Sequence, residues 1–193
     1  MKNVVVFCGA NVGKGMVYYD HAYTLGRILA SHGITVVFGG GKVGLMGAVA
    51  EGAMHHDARV IGVIPTFLRT EEVAYEEVSQ LIEVANMHER KMRMHELSDA
   101  IIALPGGWGT MEELFEMMTW AQLGIHQKPI GILNINGFFD PFIAMMDKMV
   151  AEGFLREVLR DMIIVDTKIE GLIEQMQNYS PPDISKTATP EEV

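Results

Sequence analysis

The chain has 193 residues, 49% hydrophobic and 21% charged, which fits one folded domain with a substantial core. Its formal net charge of −10 argues against sequence-independent binding of DNA or RNA, which relies on neutralising phosphates, but leaves room for a local mononucleotide site. The one cysteine, Cys8, excludes an intrachain disulfide and a cysteine-rich zinc site and fits a reducing compartment.

In chain order, Met1-Lys2-Asn3 leads straight into the apolar run Val4-Val5-Val6-Phe7, which is too short for a signal-peptide core. No apolar run approaches the length of a membrane span, so no membrane partner and a cytoplasmic location are expected. Short β-rich runs at 4–8, 35–38, 59–64, 80–84, 100–104, 129–133 and 162–165 alternate with helical patterns at 18–32, 45–56, 87–97, 111–123, 139–152 and 169–177. This alternation predicts an α/β fold, a mostly parallel sheet with helices on both faces and right-handed crossovers. One domain is expected over residues 1–179. From Ser180, with Pro181, Pro182 and Pro190, an extended or disordered tail is expected over 180–193. The 15 methionines, several at helical spacing (Met111, Met117, Met118; Met145, Met146, Met149), read as packing residues.

Ligands in such sheets bind beyond the carboxyl ends of the strands, near the point where strand order reverses. Four loops qualify, at 9–16, 39–44, 65–70 and 105–110. The first, Gly9-Ala10-Asn11-Val12-Gly13-Lys14-Gly15, has neither the dinucleotide spacing nor a Gly-Lys-Ser/Thr ending, and reads equally as a tight turn or as a nucleoside floor. The second carries Gly39-Gly40-Gly41, then Gly44 and Gly47; three successive glycines after a strand suit a backbone that must approach a ligand closely.

The fourth loop, Pro105-Gly106-Gly107-Trp108-Gly109-Thr110, hands a buried strand to a helix, where unpaired amides and the helix dipole suit a phosphate. Glu113 follows in the expected first turn, where the dipole should keep it ionised. Two readings of Glu113 stay open: an acid beside a phosphate, or the far end of a Thr110-x-x-Glu113 capping box. The segment Met87-His88-Glu89-Arg90-Lys91-Met92-Arg93-Met94 places Met87, Arg90, Lys91 and Met94 on one helical face, where a cation could meet an anionic substrate. Arg93 reads as solvated, and His88 and His95 as surface or interface residues. His55-His56 lacks the partners of a zinc site.

Taken together, Gly39 to Gly47, Met87 to Lys91 and Pro105 to Glu113 resemble the Lonely Guy family of cytokinin riboside 5′-monophosphate phosphoribohydrolases. The likeness also covers Ser98-Asp99-Ala100 and Thr119-Trp120 with Gln122-Leu123-Gly124, and runs in order from about Val4 to Val165. One departure is Cys8-Gly9-Ala10, where many members have Ser-Gly-Ser; it removes two hydroxyls from the first loop. The resemblance implies a modified Rossmann fold, a homodimer, and hydrolysis of the N-glycosidic bond of AMP or a cytokinin riboside 5′-monophosphate to free base and ribose 5-phosphate.

By position, the resemblance implies catalytic roles for Arg90 and Glu113. It implies substrate binding by Gly39, Gly40, Gly41, Gly44, Met87, Lys91, Gly106, Gly107, Gly109 and Thr110. No metal or organic cofactor is implied. Members are often labelled lysine decarboxylases, but the sequence holds no recognisable pyridoxal-phosphate site. The alternative is a non-catalytic nucleotide or cofactor carrier, which would keep the glycine loops without needing Arg90 and Glu113 together. A nicotinamide-dependent oxidoreductase is disfavoured by the missing dinucleotide spacing.

Overall fold

In a computed structural model, which describes residues 1–71 and 73–184, seven strands form one sheet in the order β4-β3-β2-β1-β5-β6-β7. The strands are β1 (Asn3–Phe7), β2 (Thr35–Phe38), β3 (Val60–Pro65), β4 (Gln80–Val84), β5 (Ala100–Ala103), β6 (Ile130–Leu133) and β7 (Ile163–Asp166). The helices are α1 (Val17–Ser31), α2 (Gly44–Met54), α3 (Met87–Leu97), α4 (Trp108–Gln122), α5 (Asp140–Ala151), α6 (Glu157–Arg160) and α7 (Ile169–Gln177). The expectation of a mostly parallel sheet is exceeded: every strand pairing is parallel. The fold is Rossmann-like.

The apolar strand sequences follow from this layering, because helices cover both faces and leave no solvated side to β1, β2 or β5. Side chains alternate between two cores. Val4, Val6, Val36, Phe38 and Ile102 pack on the face with α1, α2 and α7. Val5, Phe7, Val37, Ile101 and Ala103 pack on the opposite face with α4 and α5. At the edge, β4 is only partly buried, and its sequence Gln80-Leu81-Ile82-Glu83-Val84 includes polar residues accordingly.

The central strand β1 pairs with β2 on one side and β5 on the other, Val4 facing both Val36 and Ala100. Chain order reverses there, so the crevice between β1 and β5 is where a ligand site belongs. Backbone hydrogen bonds stitch its rim: Gly9 N–H donates to the Pro105 carbonyl at 3.0 Å, and Leu45 N–H to the Gly9 carbonyl at 3.0 Å.

Three features depart from the expected elements. Helix α4 starts at Trp108, earlier than 111. Helix α6 and two short 3-10 turns, Thr66–Leu68 and Ile135–Gly137, were not expected. Within the expected tail, Ile184 packs against the second core, while residues 185–193 of it lie outside the described residues. Among the described residues no helix is long and apolar enough to cross a membrane.

Candidate active site

A cavity of about 430 Å³ opens at the carboxyl ends of β2, β1 and β5, within the range of small-molecule sites. Arg90 enters it from the first turn of α3. That helix is capped by Asn86, whose side chain accepts from the Glu89 amide at 2.9 Å. All three guanidinium nitrogens are engaged: Nε donates to the Val63 carbonyl (3.2 Å), Nη2 to the Gly39 carbonyl (3.3 Å) and Nη1 to Glu113 Oε1 (3.1 Å). This three-point anchorage fixes the planar fork in a way a lysine could not reproduce. Gly39 is required by it, since a Cβ there would lie 1.9 Å from Arg90 Nη2.

Glu113 comes from α4, and its side chain is only 8% exposed. Because the cap residue is Gly107, Thr110 is the third residue of the helix and Glu113 lies in its second turn. The capping-box reading is thereby overturned: Glu113 bonds Arg90. Its expected ionisation by the helix dipole is also corrected. The dipole's effect fades beyond the first turn, and burial pushes the carboxyl up to about 7 despite the opposing charge of Arg90. A carboxyl poised near neutrality beside a fixed cation, in a cleft, is a common signature of a catalytic group.

The fourth loop forms the adjoining wall. Gly106, Gly107, Gly109 and Thr110 all line the cavity. Helix α4 has no side-chain cap, so no side chain accepts from its leading amides. A Cβ on Gly106 would lie 2.0 Å from Thr110 Oγ1, so this glycine makes room for the hydroxyl.

Of the other residues expected to bind substrate, Gly39 lines the cavity, but Gly40, Gly41, Gly44, Met87 and Lys91 do not. Gly40 turns with φ +75° against Ile64 and Leu81, and Gly41 bridges to Ala74. Gly44 starts α2 with φ +66° against the Ala10 backbone. Met87 is half-buried at the start of α3. Lys91 is buried against Glu112 and Glu116; burial alone would lower its ammonium, but the bonds to those carboxylates hold it above its ordinary value.

His95 is not a simple surface residue. It packs against Trp120 and His126 with ring centroids 5.1 Å away in both cases, and burial lowers it to about 4.

Sequence reasoning missed Tyr18, Phe138, Met46 and Leu68, which also line the cavity. They carry no glycine signature and converge only through the fold. Cys8 also lines the cavity, and burial pushes its thiol far up, which disfavours the thiolate.

A protein-family model described as "Possible lysine decarboxylase" matches residues 46–176. The chain is 48% identical over 181 residues to the cytokinin riboside 5′-monophosphate phosphoribohydrolase LOG of Oryza sativa subsp. japonica, covering 93% of this chain and 74% of that one. It is 44% identical over 180 residues to the phosphoribohydrolase LOG1 of Arabidopsis thaliana, covering 93% and 84%. A molybdenum cofactor binding protein from Rippkaea orientalis shares the fold, with TM-score 0.69 and 21% identity over 92% of this chain and 97% of that one. None of the described residues lining the cavity is a lysine, so its wall offers no amine to hold pyridoxal phosphate as a decarboxylase would.

Proposed function

The chain belongs to the Lonely Guy (LOG) family of phosphoribohydrolases, and we propose that it hydrolyses the N-glycosidic bond of a nucleoside 5′-monophosphate, AMP or a cytokinin riboside 5′-monophosphate. The products are the free base and ribose 5-phosphate. The observation that carries this reading is the buried Arg90–Glu113 pair at 3.1 Å on the cavity wall.

Cleavage breaks the bond from the sugar's anomeric carbon to the base nitrogen, and positive charge grows on the ribose ring. Ionised Glu113 stabilises that charge and takes a proton from the water that attacks the same carbon. Arg90 faces the leaving base and favours the electron pair it carries away; the base then gains a proton from Glu113 or solvent. The amides of Gly107, Gly109 and Thr110 hold the 5′-phosphate.

A non-catalytic carrier is the weaker reading. A buried carboxylate beside the seat of an anionic ligand weakens binding, and a site built only to hold a nucleotide gains by losing it. The test is incubation of the protein with AMP and with isopentenyladenosine 5′-monophosphate, followed by assay of ribose 5-phosphate. Turnover is expected; nucleotide binding without product would establish the carrier instead.

The same reading takes the chain as a cytoplasmic homodimer that binds no nucleic acid or membrane. Support comes from the unpaired thiol of Cys8, the acidic charge, and the open apolar side chains Phe115, Leu123, Met145 and Phe154.

A further inference from the structure

Tyr18, on the first turn of α1, carries a hydroxyl that no described residue bonds. Its two tyrosine neighbours on the helix are satisfied internally: Tyr19 donates to Glu51 Oε2 at 2.6 Å, and Tyr23 bonds His55 Nδ1 at 3.1 Å. Tyr18 has no hydrogen-bond partner among the described residues, yet it lines the cavity. Its ring is held in place. Gly13, at φ +76°, leaves room that a Cβ would deny, since that atom would lie 2.8 Å from Tyr18 Cδ2. On another side the ring meets Phe138 edge-on, with centroids 6.2 Å apart and planes at 77°. A fixed ring with a free hydroxyl on a cavity wall is preorganised for a ligand.

The strand order says which part of the ligand. The cavity crosses the sheet from Gly39 after β2, through residues 8–13 after β1 and 105–110 after β5, to Phe138 after β6. Three strand spacings make that span about 14 Å, enough for base, sugar and phosphate laid end to end. Arg90 lies at the β2–β3 end, bonded to the Gly39 and Val63 carbonyls. The helix α4 amides lie over β5, and Tyr18 against Phe138 lies beyond them. A substrate with its reacting carbon at Glu113 and its base toward Arg90 therefore sends its phosphate toward Tyr18. No cation serves that end: Arg90 is the one lysine or arginine among the described lining residues, and it is engaged at the other end.

We propose that the Tyr18 hydroxyl donates to the 5′-phosphate and, with the α4 amides and Thr110, sets the preference for nucleoside monophosphates over nucleosides. This rests on the phosphoribohydrolase reading for the orientation of the substrate, but its test reads phosphate binding directly. Tyr18→Phe keeps the ring and its packing and removes only the donor. Binding of ribose 5-phosphate and of ribose is titrated by calorimetry for the wild type, for Tyr18→Phe and for Tyr19→Phe as a control.

Loss of a hydrogen bond to a charged group predicts ribose 5-phosphate affinity about 10- to 100-fold weaker in Tyr18→Phe. It also predicts a raised KM for AMP with kcat within about twofold, because the phosphate is held equally in ground and transition states. Tyr19→Phe should leave ribose 5-phosphate affinity unchanged. Unaltered affinity in Tyr18→Phe overturns the assignment. A fall in kcat at constant KM would do so too, placing the hydroxyl at the leaving base. Wild-type protein that binds ribose 5-phosphate no better than ribose would also overturn it. Wild type that binds ribose 5-phosphate through Tyr18 yet releases no base from AMP would refute only the hydrolase reading.

Discussion

At the residue scale, the chemistry turns on how Glu113 is ionised. Burial raises its carboxyl to about 7, so the ionised form needed for catalysis accumulates as pH rises through neutrality. We predict that kcat/KM for AMP climbs through an apparent pKa near 7 before levelling, measured in buffers of constant ionic strength. A profile already flat from pH 5 upward contradicts this assignment. Stability should move the opposite way. The unfolded chain releases this proton near 4.5 and the folded chain near 7, so between those values the folded state binds more protons. The contribution of Glu113 to stability is therefore greatest below the lower value and declines as pH rises through the upper one. Melting temperatures of wild type and Glu113→Gln across that window should show a decline in the wild type that the variant lacks.

Two glycines separate room for a side chain from room for a ligand. Gly39→Ala pushes a methyl into Arg90 Nη2, 1.9 Å away, and should lower kcat on the order of 100-fold by displacing the guanidinium. Gly107→Ala meets nothing within 4 Å at an ordinary φ of −98°. It should fold with unchanged melting temperature, so any loss of AMP affinity in it reports a methyl between phosphate and amides. These distinctions were hidden in the sequence. A run of glycines says that space is needed but not by what, and Gly40, Gly41 and Gly44 turned out to serve turns and packing. Lys91 shares a helical face with Arg90, but one residue of rotation aims it at Glu112 and Glu116 instead of the cavity.

At the element scale, the position of the first turn of α4 decides what Glu113 does. The pattern Thr110-x-x-Glu113 matched a capping box, and only the helix start at Trp108 excludes it. Such a start carries no polar cap residue to announce it, because Gly107 caps with backbone alone. Helix α6 was unreadable for a similar reason: four residues are too few to display a helical period. Strands β1, β2, β3, β5 and β6 were legible because burial on both faces leaves them almost purely apolar. Over the first core, α1 and α2 touch through glycines, and a Cβ on Gly52 would lie 2.0 Å from the Tyr23 carbonyl oxygen. Gly52→Ala should therefore destabilise the protein by about 1–3 kcal/mol, read as a lower urea midpoint. An unchanged midpoint would mean that the two helices separate freely.

At the scale of the whole molecule, strand order gathers Arg90 and Glu113, which lie on different helices, into one cavity at the carboxyl ends of β2, β1 and β5. The alternation of strands and helices pointed to the loops at the carboxyl ends of the strands; Tyr18 and Phe138 could not be foreseen, because only the order of strands brings α1 beside the turn after β6. The open apolar side chains of α4 and the segment after α5, with Phe154 87% exposed, match the proposed homodimer. Sedimentation should give twice the 21.4 kDa of the chain, and a mass of one chain would remove that part of the account.

The measurement closest to the central claim is release of base from AMP by the Glu113→Gln variant beside the wild type, at matched protein and at a pH above 7. The account predicts a loss of at least about a thousandfold in kcat, with ribose 5-phosphate still bound within a few-fold of wild-type affinity. A variant that turns over at the wild-type rate would show that Glu113 is a structural partner of Arg90 and that the bond is broken by other means.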